Sequence, residues 1–106
     1  MAKYLWQVSY SPEGMKGVIK EGGTSRRTMV EKLAENMGGK VEAFYFAFGE
    51  NDAYVIGDFP DNTDAAALAM TVGASGAASL KTSVLLTPEE IDAAAAKQVD
   101  YRPPGA

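Results

Sequence analysis

Among its 106 residues the chain has no cysteine and no histidine. Without Cys there is no disulfide, thiolate nucleophile, iron–sulfur cluster or cysteine-bound zinc. Without His there is no imidazole base, no Ser-His-Asp triad and no His-ligated metal or haem. Any catalysis would fall to Asp, Glu, Lys, Arg, Tyr or a bound cofactor, so most common reaction classes are excluded. Positive charge is scarce as well: ten Lys and Arg stand against fourteen Asp and Glu, a net charge of −4. Nucleic acids and anionic membranes are held by basic surfaces, so neither is an expected partner. No apolar run approaches the ~18 residues of a membrane span. There is no GxxxxGK[ST], and no GxGxxG follows a strand, so no phosphate loop is present. No cofactor and no metal site are expected. The opening MAKYLWQVSY alternates like a strand and lacks the apolar core and small-residue cleavage site of a leader, which leads us to expect a cytoplasmic protein.

What is present is an ordinary globular composition, 46% hydrophobic and 23% charged, enough for one core in a single domain over residues 1–106. Lys40 to Pro60, KVEAFYFAFGENDAYVIGDFP, is the most strongly patterned stretch. It predicts two strands, Val41–Phe48 and Ala53–Phe59, joined by a tight turn at Gly49-Glu50-Asn51-Asp52. Upstream, residues 3–10 alternate as a strand with Tyr4, Trp6, Val8 and Tyr10 on its heavier face. Ser11-Pro12 opens a helix to about Glu21, stopped at Gly22-Gly23. Thr24 or Ser25 is the expected cap of a longer helix to Met37, buried along Val30, Leu33, Ala34 and Met37 and ended by Gly38-Gly39.

Beyond Pro60, Asp61 can cap a helix from Ala65 to about Ala74. A fourth strand spans Ala78–Leu86. Thr87-Pro88-Glu89-Glu90 then starts a last helix to Gln98, and residues 100–106 form an extended tail in which Pro103-Pro104 forbids helix. The order is β-α-β-β-α-β with an extra C-terminal helix: an α+β, ferredoxin-like antiparallel sheet with helices on one face. In the central strands, alternation sets Val41, Ala43, Tyr45 and Ala47 against Glu42, Phe44, Phe46 and Phe48. Both sets are substantially apolar, so a second covering layer is expected, most simply another copy in a homodimer or higher even oligomer.

Several of these segments together resemble the GYD domain family. They are Tyr10-Ser11-Pro12-Glu13-Gly14, Gly38-Gly39-Lys40, Ala43-Phe44-Tyr45, Pro60-Asp61-Asn62, Lys81-Thr82 and Leu86-Thr87-Pro88-Glu89-Glu90. The resemblance runs from Tyr4 to about Ala95. It implies a ferredoxin-like fold of the dimeric α/β-barrel type and carries no assigned activity. The family's Gly-x-Tyr-Asp-like turn reads Gly49-Glu50-Asn51-Asp52 here. If that Tyr shapes the turn, Asn is an easy substitute because it tolerates positive φ; if it serves a ligand, the role is lost.

Three groups are candidates to line a ligand cavity. Aromatic side chains are the first, chiefly Trp6, Tyr10, Tyr45 and Tyr54; the alternative is that they are core and subunit contacts. Glu50 and Asp52 could act as acid and base, or simply bond the backbone and solvent at the turn. Lys81 and Arg26 could receive an anion, and ordinary surface charge is the alternative. Arg26 and its neighbour Arg27 fall in the first turn of a helix, where positive charge is unfavourable, which points to an external anion or carboxylate. No catalytic residue can be named. The readings are a small-molecule-binding module in a homo-oligomer, a cofactor-independent enzyme on the same fold, or a purely structural or regulatory oligomer.

Overall fold

The computed structural model describes residues 1–106. Its sheet has four strands, β1 (Ala2–Tyr10), β2 (Lys40–Phe46), β3 (Ala53–Phe59) and β4 (Ala78–Leu85), in the order β2-β3-β1-β4. Every neighbouring pair is antiparallel. With helices α1 (Pro12–Glu21), α2 (Gly23–Asn36), α3 (Asn62–Ala74) and α4 (Pro88–Ala95), this is the ferredoxin-like α+β fold. No helix is long and apolar enough to cross a membrane.

Local chemistry sets most of the helix starts. The Ser11 hydroxyl accepts the Gly14 N–H, the Asp61 carboxylate accepts those of Thr63 and Asp64, and Thr87 and Glu90 form a reciprocal capping box. At α2 the expectation fails. Neither Thr24 nor Ser25 caps it; Gly22 turns the chain at φ 88° straight into a helix beginning at Gly23, with no side-chain cap. That conformation suits glycine and leaves no oxygen to bond the first N–H groups.

The core lies between the sheet and its helices. Tyr4, Trp6 and Val8 of β1 meet Ala53, Val55 and Phe59 of β3, under Ala34 of α2 and Ala65 of α3. Trp6 and Phe59 stand with ring centroids 5.2 Å apart, and Tyr4 and Trp6 5.7 Å apart. Gly39 is where this cluster meets the backbone: a Cβ there would overlap the Phe59 ring and the Asp58 carbonyl.

The central hairpin departs from its expected geometry. β2 ends at Phe46, not Phe48, because the loop folds back onto β1: the Asp52 N–H donates to the Val8 carbonyl at 2.8 Å, and the Asp52 carbonyl accepts the Ala47 N–H at 2.8 Å. Phe48 is left fully exposed. The two-face assignment is also corrected. A bulge between Val41 and Ala43 sets Val41 opposite Gly57 and Phe44 opposite Val55, so both lie on the helix-covered face. Strict alternation had parted them. Phe46, 5.2 Å from Phe44 between ring centroids, follows inward, while Ala43 and Tyr45 turn outward. On that outer face Lys3 Nζ meets Glu42 Oε2 at 2.7 Å and Asp58 Oδ1 at 3.2 Å, beside the bulge.

The last helix stops at Ala95, short of Gln98, and the fourth strand at Leu85. Every residue from Pro88 to Ala106 is exposed, and α4 has no substantial packing partner. The result is an elongated molecule, 56 Å in its longest dimension with a radius of gyration of 16.9 Å. A compact chain of this length has about 13 Å.

The Tyr4 hydroxyl, buried at the end of the core, donates to Asn62 Oδ1 at 2.6 Å. Burial foremost, and the charges of Asp61 and Asp64 after it, raise the Tyr4 pKa above its ordinary 10.0. The folded state therefore holds this proton more tightly than the unfolded chain. Its stabilising contribution is whole below pH 10.0 and fades as pH rises through the folded value. Tyr4→Phe is expected to cost about 1 kcal/mol at neutral pH. In urea unfolding series the gap between variant and parent should narrow above pH 10.0; a constant gap would show that the phenol titrates alike in both states.

Candidate functional site

Antiparallel pairing brings the inward side chains of all four strands into one plane, and α2 and α3 lie over it. Both helices carry small residues where they touch the sheet, Ala34 and Ala65, so the layers meet at those points. Towards the Phe44 end of the sheet they do not fill the space. A cavity of about 70 Å³ remains, lined by sixteen residues, fourteen of them hydrophobic. Trp6, Val8, Val55, Phe44 and Leu80 form its sheet side, and Val30, Leu33, Leu68 and Val72 its helix side. Beside it, and sharing Phe44, an open groove of about 250 Å³ runs along Gly23, Thr24, Arg27 and Phe46 at the start of α2.

The only charged residues on the cavity lining are Arg26 and Lys40; no Asp or Glu borders it. Arg26 stands in the first turn of α2, half-buried, and no carboxylate pairs with it. Its guanidinium Nη1 donates to Met29 Sδ at 3.3 Å, a weak acceptor. Arg26 Nε is buried and has no partner. Trp6 Nε1, on a residue only 4% exposed, has none either. Buried polar groups in folded proteins are nearly always paired, and an unmade bond costs about 1–3 kcal/mol. Both residues border the cavity, but the two N–H groups themselves are sealed within its walls, and the half-buried guanidinium of Arg26 without a carboxylate is the distinctive charge of this site. α2 adds to it: its first turn has no side-chain cap and no acidic residue.

Of the eight residues expected to share a cavity, Trp6, Tyr10 and Arg26 do so. The other five lie elsewhere. Tyr45 and Tyr54 oppose one another across β2 and β3 on the uncovered face of the sheet, Tyr45 being 72% exposed. Lys81, opposite Gln7 on that same face, meets Glu50 at 3.7 Å, both side chains mostly in solvent. Asp52 is half-buried and takes the Tyr10 backbone N–H at 2.8 Å, so its carboxylate holds the loop to β1. Asn51 corrects the turn reading: it is buried, 3% exposed, and no residue but glycine has positive φ. Its amide accepts from Ser9 Oγ at 3.4 Å and donates to Tyr54 Oη at 3.3 Å, which is the work it does in place of Tyr. No group of three or more acidic side chains is placed to hold a metal ion.

Val30 and Leu33 were legible only as a buried helical stripe. They line the cavity instead, and Leu33 remains 39% exposed, because the opposing strand does not rise to meet it. The family model described as GYD domain matches residues 4–95, so the chain belongs to that family. Neither a curated protein nor a solved structure matches it.

Side chains outside the cavity should separate into two kinds on substitution. Lys81→Ala breaks an exposed ion pair and is expected to change unfolding free energy by less than about 0.5 kcal/mol. Asp52→Ala orphans the Tyr10 N–H and is expected to cost about 1–3 kcal/mol. Equal effects in chemical denaturation would contradict the roles assigned to these two residues.

Proposed function

Taking the chain as a GYD domain protein, we propose that it is a small-molecule-binding module that works as a homo-oligomer. One observation carries the binding half of this reading: an apolar cavity bordered by a half-buried Arg26 that no carboxylate pairs, with two N–H donors in its walls left without partners. Ligand sites combine apolar walls with a few polar groups that fix orientation. A core under no such demand would fill the space or pair the donors. At about 70 Å³ the inner cavity accepts only a few carbon atoms, and the adjoining groove gives the remainder of a ligand a path outward.

Self-association is supported by the face of the sheet that no helix covers. The register directs Leu5, Ala43, Tyr45, Tyr54, Ile56 and Leu85 to it, flanked by the Lys3, Glu42 and Asp58 charges at one end and by Gln7, Ser9 and the β4 residues Ser79, Lys81 and Ser83 along the other side. An apolar area of this kind on an isolated chain marks a contact surface. The exposed arm from Pro88 onward carries Ile91, Val99 and Tyr101 with nothing of its own chain to pack on. A second copy supplies cover for both.

Native mass spectrometry of gently purified protein reads both halves at once. The expected spectrum is an even-numbered oligomer with a reproducible added mass. A bare oligomer that takes up no small molecule would leave assembly as the function, and a monomer would overturn the self-association. Ile56→Asp, at the centre of the open face, should give a folded monomer at micromolar concentration. An oligomer unchanged by that substitution would exclude this face as the contact.

A further inference from the structure

We infer that the cavity takes a small carboxylic acid with an apolar body, its carboxylate set against the unpaired guanidinium of Arg26. This inference rests on the binding reading above and adds the class of ligand. Everything lining the cavity is short of acceptors. Its buried polar atoms are N–H donors, its charged side chains are both basic, and no carboxylate faces it. A ligand that fits must bring acceptor oxygens, and one that brings negative charge meets an unpaired guanidinium. The planar guanidinium of Arg26 spends only Nη1, on the weak acceptor Met29 Sδ, and a carboxylate is the anion that matches its geometry.

Three further features agree with a single negative charge. The N–H groups of the uncapped first turn of α2 face no side-chain acceptor of their own. That turn packs at the Phe46 end of the sheet, where a Cβ on Gly23 would stand 3.0 Å from the Phe46 ring. Tyr10 ends β1 at this same end and lines the cavity with Arg26. Lys40 begins β2 at the opposite end of the strand and is exposed, so it cannot join Arg26 on one head group. One half-buried cation suits a monoanion better than a phosphate monoester, which carries nearly two charges near neutral pH. The remaining walls are hydrocarbon, and they fix the body of the ligand as apolar.

Trp6 is the sole tryptophan, so its fluorescence and its indole N–H resonance report on the cavity without labels. The test titrates butyrate, hexanoate and benzoate against butyramide, hexanamide and benzamide, which match them in shape and lack the charge. At least one acid is expected to bind about ten-fold or more tightly than its amide, with the Trp6 fluorescence changing as the cavity beside the ring fills. Arg26→Gln should abolish the preference, bringing acid and amide to similar affinity. Arg26 has no ion pair to lose, so the variant is expected to fold, and its thermal melt checks that it does. Equal binding of acid and amide, or a preference that survives Arg26→Gln, would overturn the carboxylate inference while leaving the cavity a binding site. If neither acids nor amides bind, the binding reading itself fails with it.

Discussion

The indole of Trp6 lies against the backbone of Gly57, and the rest of the fold is arranged around that contact. A Cβ on Gly57 would stand 3.1 Å from the indole Cζ3 and 2.8 Å from the Lys40 carbonyl, tighter than side chains tolerate. The absence of a side chain lets the largest residue of the chain lie over the centre of the β1–β3 pair. Phe59 uses the gap beside Gly39 in the same manner, and Tyr4 closes the row. Each aromatic pair adds about 0.5–1.5 kcal/mol beyond the area it buries. In a chain with only eleven buried residues, that small cluster holds the sheet in register.

Concentrating bulk on the sheet has a consequence for the helices. With Trp6, Phe59 and Tyr4 rising from the strands at one end, the helices above them must be thin there, and Ala34 and Ala65 supply that thinness. Around the smaller side chains Val8, Val55 and Leu80 the layers leave a space that Trp6 and Phe59 also border. The space left is the cavity.

Most of the fold was legible because its signals are local. Ser11, Asp61 and the Thr87–Glu90 box each start a helix through bonds spanning two or three residues, and alternation in β1 and β3 identifies the inward face directly. β2 was misread beyond Val41 because a bulge is not a local signal. It shows only in the pairing with β3, where Lys3, distant in sequence, reaches Glu42 and Asp58 beside it. The start of α2 was misread for the opposite reason: Thr24 and Ser25 are good capping residues, yet the positive φ of Gly22 settles the boundary before them. Of the site, Trp6, Tyr10 and Arg26 were identified from residue type, and Arg26 from its unfavourable place in a first helical turn. Glu50, Asp52 and Lys81 drew notice for their charge and belong to the loop and rim. Charge alone does not show which side of a sheet a residue takes; an unpaired bond does, and bonds appear only in the folded chain.

The charge distribution sharpens the reading of the site. A chain with net charge −4 repels anions in general, and a functional anion site on it must overcome that field locally. At physiological salt the field is screened over about 8 Å, so acidic groups at the outer surface weigh little inside the cavity. What weighs there is the half-buried guanidinium of Arg26, for which this chain provides no carboxylate although it has fourteen acidic residues to draw on. The other basic residues without an ion pair are all exposed to solvent, so Arg26 is set apart by its burial. Leaving Arg26 unpaired costs stability in the empty protein, because a partly desolvated cation and a buried N–H each go without a partner.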